Sequence, residues 1–195
     1  MSILKTVTLL SLSVTLALSA AQGKKENEFK EVIKIGKKSS MKLVKALGSN
    51  MKQHMKKGGP MDALTFCSTE AYSLTESVNK KLPKGITVKR TSSKVRSEAN
   101  KPQDDEMQVI KLFESMKNSH VVLPPHLIQK ISKNHYKYYK PLTINKPICL
   151  KCHGNLEKND ALAKAINEKY PTDKATGYKM GDVRGVIVVD IEQKF

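Results

Sequence analysis

Near its C-terminus the chain reads Gly185-Val186-Ile187-Val188-Val189-Asp190-Ile191. Five of these seven residues are Val or Ile. Their β-branched side chains are restricted in a helix and pack well on a pleated surface. We therefore expect a closing β-strand at this end of the chain.

Further strands are expected earlier in the sequence. After Pro83 and Gly85, an alternating pattern begins at Ile86 and continues to about Arg96, which predicts a half-buried strand. Segments 121–123 and 136–144 contain similar residue types and are also expected to be strands. The last segment therefore has several partners with which it can form a sheet.

Helical patterns dominate the first half of the chain. Apolar residues recur at three- and four-residue intervals over residues 26–57, with lysines on the other faces, which predicts a long amphipathic helix. The Gly-Gly-Pro sequence at 58–60 ends this helix and begins a second one that runs to about Asn79. Shorter helices are expected from Asp104 onward and over residues 160–169. Helices followed by strands that helices interrupt predict an α+β domain with a mainly antiparallel sheet.

The N-terminus has the pattern of an export signal. Lys5 precedes an apolar run over residues 7–18, and small residues follow up to Ala21, where we expect cleavage. The run is too short and too rich in Ser and Thr for a membrane-spanning helix. We therefore expect a periplasmic protein with a signal over residues 1–21, a Lys-rich helix over residues 22–58 and one domain over residues 59–195.

The charge balance is strongly basic. The chain has 35 Lys and Arg against 18 Asp and Glu, which gives a net charge of +17. This charge favours acidic protein partners or anionic membrane surfaces and would steer their approach. Nucleic acid is not an expected partner of an exported protein.

The pentapeptide Cys149-Leu150-Lys151-Cys152-His153 matches the attachment pattern of c-type haem. Two thiols at this spacing can each add to one vinyl group of the porphyrin, and the next imidazole can bind the iron. A thioredoxin-type pair gives no reason for the adjacent His, and a structural zinc site would need a second pair of ligands. We therefore expect one covalently bound haem c, with His153 as an axial ligand.

The motif does not identify the second axial ligand. Cys67 is favoured because the motif uses the other two cysteines, which leaves it unpaired on the apolar face of a helix. A buried Cys that acts as a small apolar residue is the alternative for this position. The other candidate ligands are His54, His120, His126, His135 and Met180.

Several short motifs follow one another over residues 60–192. They are Leu64-Thr65-Phe66-Cys67, Arg90-Thr91-Ser92, Lys94-Val95-Arg96, Asn100-Lys101-Pro102, Tyr139-Lys140-Pro141, Cys149-Leu150-Lys151-Cys152-His153-Gly154, Tyr170-Pro171-Thr172-Asp173-Lys174-Ala175-Thr176-Gly177-Tyr178 and Gly181-Asp182-Val183-Arg184-Gly185. In this order they resemble the single-haem c-type family with a PAS-like sensor fold, long catalogued as a domain of unknown function. In one departure, Ser97-Glu98-Ala99-Asn100 follows Arg96, where family members often have Asn-Pro.

The resemblance implies a PAS-like fold, with a five-stranded antiparallel sheet and flanking helices, and the long helix predicted from the periodicity of residues 26–57 would precede it. It also implies that His153 and Cys67 bind the haem iron from opposite sides. Arg96 and Arg184 are candidates for pairing with haem propionates or for fixing loops, and a structural salt bridge is an equal alternative.

The sequence leaves two functions open. The resemblance implies a redox sensor that signals to a partner protein, and release of Cys67 on reduction would extend this role to a small gas ligand. The late position of the haem motif favours a sensor over a carrier. The alternative is a periplasmic electron carrier that docks on acidic redox partners. We expect no enzymatic activity. The Lys-rich first helix is expected to cover the core, with a dimer contact or a membrane surface as alternatives.

Overall fold

The computed structural model describes the backbone of residues 3–195 and the side chains of residues 25–195. The export signal expected over residues 1–21 lies outside the part described with side chains. Within the described residues, no helix is both long and apolar enough to cross a bilayer. The elements in chain order are α1 (Ile3–Thr69), α2 (Ala71–Asn79), β1 (Ile86–Thr91), a 3₁₀ turn (Glu98–Asn100), α3 (Asp104–Asn118), β2 (Leu127–Ser132), β3 (His135–Thr143), α4 (Pro147–His153), α5 (Asp160–Lys169) and β4 (Val183–Glu192).

One antiparallel sheet forms the centre of the α+β fold, with strand order β1-β4-β3-β2. The strand predicted at residues 185–191 is confirmed as β4, an inner strand of the sheet. Its residues are buried on both faces, since Ile187 and Val189 contact one cluster of apolar side chains while Val186 and Val188 contact another. Burial on both faces explains why its sequence is apolar without alternation.

The sheet differs from the sequence prediction in two regions. The strand expected from Ile86 to about Arg96 ends at Thr91, where its pairing with β4 ends at Val186. Residues 121–123 were expected to be a strand, but they form a loop in which Val122 is 88% exposed. Pro124 and Pro125 follow, and proline cannot donate a hydrogen bond to a neighbouring strand. The strand therefore starts after them, as β2, and the described chain has four strands where five were expected.

The long helix α1 covers one face of the sheet. Val32 and Leu43 are fully buried in the cluster that also contains the inner residues of β1, β3 and β4. Gly36 allows the closest approach, because a Cβ at this position would lie 2.2 Å from Cγ of Tyr138. The amphipathic pattern over residues 26–57 therefore reflects packing against the sheet.

The predicted break after this helix is confirmed. Gly58 and Gly59 have non-helical backbone angles, and Gly59 has a φ of 69°, which glycine adopts at little cost. The helical segment that begins at Pro60 ends at Thr69, and α2 then starts at Ala71. The second helix was expected to be continuous to Asn79, so its division near Glu70 corrects that prediction.

Helix α3 covers the opposite face of the sheet. Its buried residues Ile110 and Phe113 pack against Val186 and Val188 of β4. At one end of the molecule, α5 contacts the last part of α1 through Leu64, Leu162 and Ile166. This contact brings the segment that carries Cys67 close to the region that follows the pentapeptide.

Candidate functional site

The pentapeptide forms most of the short helix α4. Pro147 suits its first turn, and the backbone N–H of Gly154 closes it by donating to the Leu150 carbonyl at 2.9 Å. Cys149 and Cys152 lie three residues apart, so they are neighbours on the surface of the helix. Cys149 packs against the cluster of Ile144, Ala175 and Tyr178, and Cys152 packs against the cluster of Leu64, Leu162 and Ile166.

The His153 side chain is oriented by a hydrogen bond to the main chain. Its Nδ1 lies 2.8 Å from the carbonyl oxygen of Ala175, to which a neutral imidazole donates. This leaves Nε2 available as a ligand atom, which is the usual arrangement of a metal-binding histidine. Burial, together with the nearby charges of Arg184 and Arg96, lowers the pKa of His153 to about 3. The ring is therefore neutral at physiological pH.

A cavity of about 180 Å³ lies beside this imidazole. Its walls include His153 from α4, Cys67 from α1 and residues of β1 and β4. A second cavity of about 310 Å³ adjoins it and shares Cys67, Arg90 and Tyr170 with it. Burial raises the pKa of the Cys67 thiol, although the charges of Arg90 and Arg96 oppose this. The structure thus brings Cys67 and His153 to one cavity.

The other candidate axial ligands lie elsewhere in the described chain and line neither cavity. Three of the histidines interact with other side chains, and the remaining two candidates are exposed. His54 lies against Asp62 and Phe66, His126 stacks on Tyr138, His135 contacts Asp190, and His120 and Met180 face solvent.

Arg96 connects the pentapeptide to the loop before β4. Its Nε and Nη2 donate to the two carboxylate oxygens of Asp173 at 3.1 and 3.0 Å. Nη2 also donates to the Cys152 carbonyl at 2.8 Å. The Asp173 carboxylate accepts a further bond from the backbone N–H of Ala175 at 2.8 Å, and Ala175 in turn holds His153. Arg96 therefore joins the pentapeptide to the Asp173 loop through an ion pair and a hydrogen bond to the main chain.

Arg184 is half-buried and lines the cavity. Its Nη1 lies 3.4 Å from the Lys94 carbonyl, and its guanidinium lies 5.4 Å from the centre of the Tyr178 ring. Within residues 25–195 it has no carboxylate partner. Burial lowers the pKa of Arg184 from its ordinary value.

Sequence reasoning missed two contributors to the site. Arg90 lines both cavities, but in the sequence it belonged to an alternating strand and to the Arg90-Thr91-Ser92 motif, and no role was given to its side chain. Asp173 belongs to a quoted motif, yet its pairing with Arg96 spans 77 positions and leaves no local pattern. A count of arginines would have been a signal for Arg90, because arginine is rare in this lysine-rich chain.

Together these features define an α+β protein in which a central sheet and two helices enclose a cavity that presents a thiol and an imidazole. The chain belongs to the Tll0287-like family, whose model matches residues 23–192. Among curated proteins, none matches the chain. Its fold is similar to that in the crystal structure of the cyanobacterial heme-protein Tll0287, with a TM-score of 0.58 and 20% sequence identity. That match covers 87% of this chain and 98% of the other.

Proposed function

We propose that this chain is an exported protein that carries one covalently bound c-type haem, with His153 and Cys67 as axial ligands of the iron. The observation that carries the proposal is that these two side chains, from distant parts of the sequence, line the same cavity. The heme-protein whose fold this chain shares supports the same choice of cofactor.

The residues in and beside the cavity fit such a group. Cys149 and Cys152 are free thiols on α4, next to His153, which lines the cavity, and their spacing suits addition to two vinyl groups. The hydrogen bond from His153 to Ala175 leaves Nε2 for the metal. A bound haem would supply one-electron oxidation and reduction of its iron. The chain would hold that group through His153 and Cys67, and the Cys67 thiol, as a thiolate, would favour the oxidised iron.

Within this proposal, the chain acts as a redox or gas sensor. Cys67 lies in the last part of α1, close to the break at Gly58 and Gly59, and the earlier part of α1 covers the sheet. A change in the bond to Cys67 would therefore be passed to a long helix that a partner protein can contact. Release of Cys67 on reduction would also free one face of the cavity for a small gas ligand.

The strong positive charge supports electron transfer as a second candidate function. A net charge of +17 would attract acidic redox partners and accelerate their docking. Under either function the partner is a redox or signalling protein in the periplasm, where the export signal over residues 1–21 would direct the chain. We expect no catalytic turnover, because two protein ligands would leave no open position on the oxidised iron.

Spectroscopy of the chain produced in a host that matures c-type cytochromes tests the proposal. The expected product keeps its colour in acidified organic solvent and shows a low-spin ferric spectrum with a thiolate charge-transfer band. Cys67→Ser should abolish this band, whereas the matched control Met180→Leu, at an exposed alternative ligand, should preserve it. A colourless product contradicts haem attachment, and an unchanged Cys67→Ser spectrum excludes Cys67 as a ligand.

A further inference from the structure

The arginines of this chain have an unusual distribution. Of the 35 Lys and Arg residues, only three are arginine, namely Arg90, Arg96 and Arg184. All three line the cavity that contains Cys67 and His153. The lysines provide the charge elsewhere, so the guanidinium group is confined to this one place.

Arginine and lysine differ in a way that matters for this placement. A guanidinium offers several N–H donors in a planar fork that matches a carboxylate with two parallel hydrogen bonds. Lysine offers a point charge of no fixed orientation. Every arginine of this lysine-rich chain lines one cavity. The cavity therefore suits planar anionic groups.

The charges at the cavity are not balanced by the protein. Arg96 is neutralised by Asp173 through two hydrogen bonds. Arg90 and Arg184 form no ion pair with any carboxylate of residues 25–195. The partners of Arg184 are the Lys94 carbonyl at 3.4 Å and the Tyr178 side chain, and neither is a carboxylate. Two half-buried positive charges close together are unfavourable until anions join them.

We propose that Arg90 and Arg184 form a subsite that binds the two propionate carboxylates of the cofactor. The subsite rests on the proposed function, since its ligand is part of the haem. Two uncompensated guanidinium groups match two carboxylates in charge and number. Arg96 has no part in the subsite because Asp173 already occupies its fork.

Porphyrin binding tests this subsite directly. The full chain with Cys149→Ala and Cys152→Ala, which cannot form thioether bonds, is titrated with haemin and with haemin dimethyl ester, which lacks both carboxylates. We expect a clear preference for haemin. Arg90→Gln and Arg184→Gln should each reduce this preference by about tenfold, the scale of one charge-assisted hydrogen bond.

Two further variants separate the subsite from general effects. Lys174→Gln removes an exposed positive charge from the residue that follows Asp173 and should leave the preference for haemin unchanged. Arg90→Lys keeps the charge but loses the fork, so it should retain only part of the preference. Circular dichroism of each variant verifies that the fold is intact.

The outcomes distinguish the subsite from the function on which it rests. Equal affinity for haemin and its ester, or a preference that survives both Gln substitutions, overturns the subsite. A reduced preference for haemin in only one of these two variants overturns the assignment of one carboxylate to each arginine. Covalent haem on the chain with its cysteines intact is measured separately, so a haem-bearing chain without the preference refutes the subsite alone. A chain that binds neither porphyrin contradicts the proposed function as well.

Discussion

Replacing Asp173 with Asn tests the ion pair that holds the surroundings of His153 in place. Asp173 and its partner Arg96 are largely buried, with side chains 8% and 11% exposed. The Asp173 carboxylate also accepts the backbone N–H of Ala175, whose carbonyl accepts the hydrogen bond from His153. The substitution therefore weakens a series of contacts that leads from Arg96 to the imidazole.

The expected loss of stability follows from burial and from the bonds that remain. Removing one partner of a buried ion pair costs about 3–5 kcal/mol, because the other charge is left uncompensated. Arg96 keeps its bond to the Cys152 carbonyl, and Asn keeps one acceptor oxygen, so we expect about 3 kcal/mol. For a protein of this size, this corresponds to a fall of roughly 6–12 °C in Tm.

Thermal and urea unfolding of the haem-free chain, followed by circular dichroism, measures this loss. Glu26→Gln is the control, since Glu26 forms an exposed ion pair with Lys30 and should leave the midpoint unchanged. Asp173→Asn combined with Arg96→Gln should cost less than the sum of the two single substitutions, because both remove the ion pair, and the bond from Arg96 to the Cys152 carbonyl is lost in addition. Unfolding of Asp173→Asn at the wild-type midpoint would refute the assigned role of the pair.

Two other predictions concern the helix α1 and the neighbouring surface. Gly36→Ala should destabilise the chain by about 1–3 kcal/mol, because the new Cβ would meet the Tyr138 ring. Gly48→Ala, whose new Cβ meets no atom within 4 Å, should stabilise the chain by about 0.5–1 kcal/mol. A lower midpoint of thermal unfolding for Gly48→Ala than for Gly36→Ala would contradict this packing. Burial and the neighbouring charges of Lys140 and Lys37 lower the pKa of His126, so the unfolded chain binds this proton more readily. The free energy of unfolding should therefore fall as the pH drops below about 6.5, less steeply in His126→Asn; equal slopes would exclude this histidine as a cause.

Sequence patterns predicted the elements whose cause is local. The Val and Ile run of β4 is recognisable because a strand buried on both faces needs apolar side chains at every position. The break at residues 58–60 is recognisable because only glycine adopts the backbone of Gly59 easily, and proline suits a first turn. Strand β2 escaped prediction because it lies at the edge of the sheet, where Lys130 and Ile131 are exposed and no alternation is imposed.

The candidate site was only partly predicted from the sequence, again because only local features leave a sequence pattern. Under the proposed function, covalent attachment of haem would need the pentapeptide alone, and this motif is continuous and therefore visible in the sequence. The contacts around it join residues far apart, such as Arg96 with Asp173 and His153 with the Ala175 carbonyl. A hydrogen bond to a backbone carbonyl places no demand on the residue that provides it, so no sequence pattern can reveal it.

Cofactor and fold would be coupled, under the proposed function, through the residues that lie far from the pentapeptide in sequence. Thioether bonds to Cys149 and Cys152 can form on one short segment, whether or not the rest of the chain is folded. Cys67, Arg90 and Arg184 reach the cavity from α1, β1 and β4 only in the folded state. A group that binds these residues in the folded but not the unfolded chain stabilises the fold by the free energy of that binding. The pentapeptide would therefore determine that haem is attached. The three distant residues would determine how much the attached haem stabilises the folded chain.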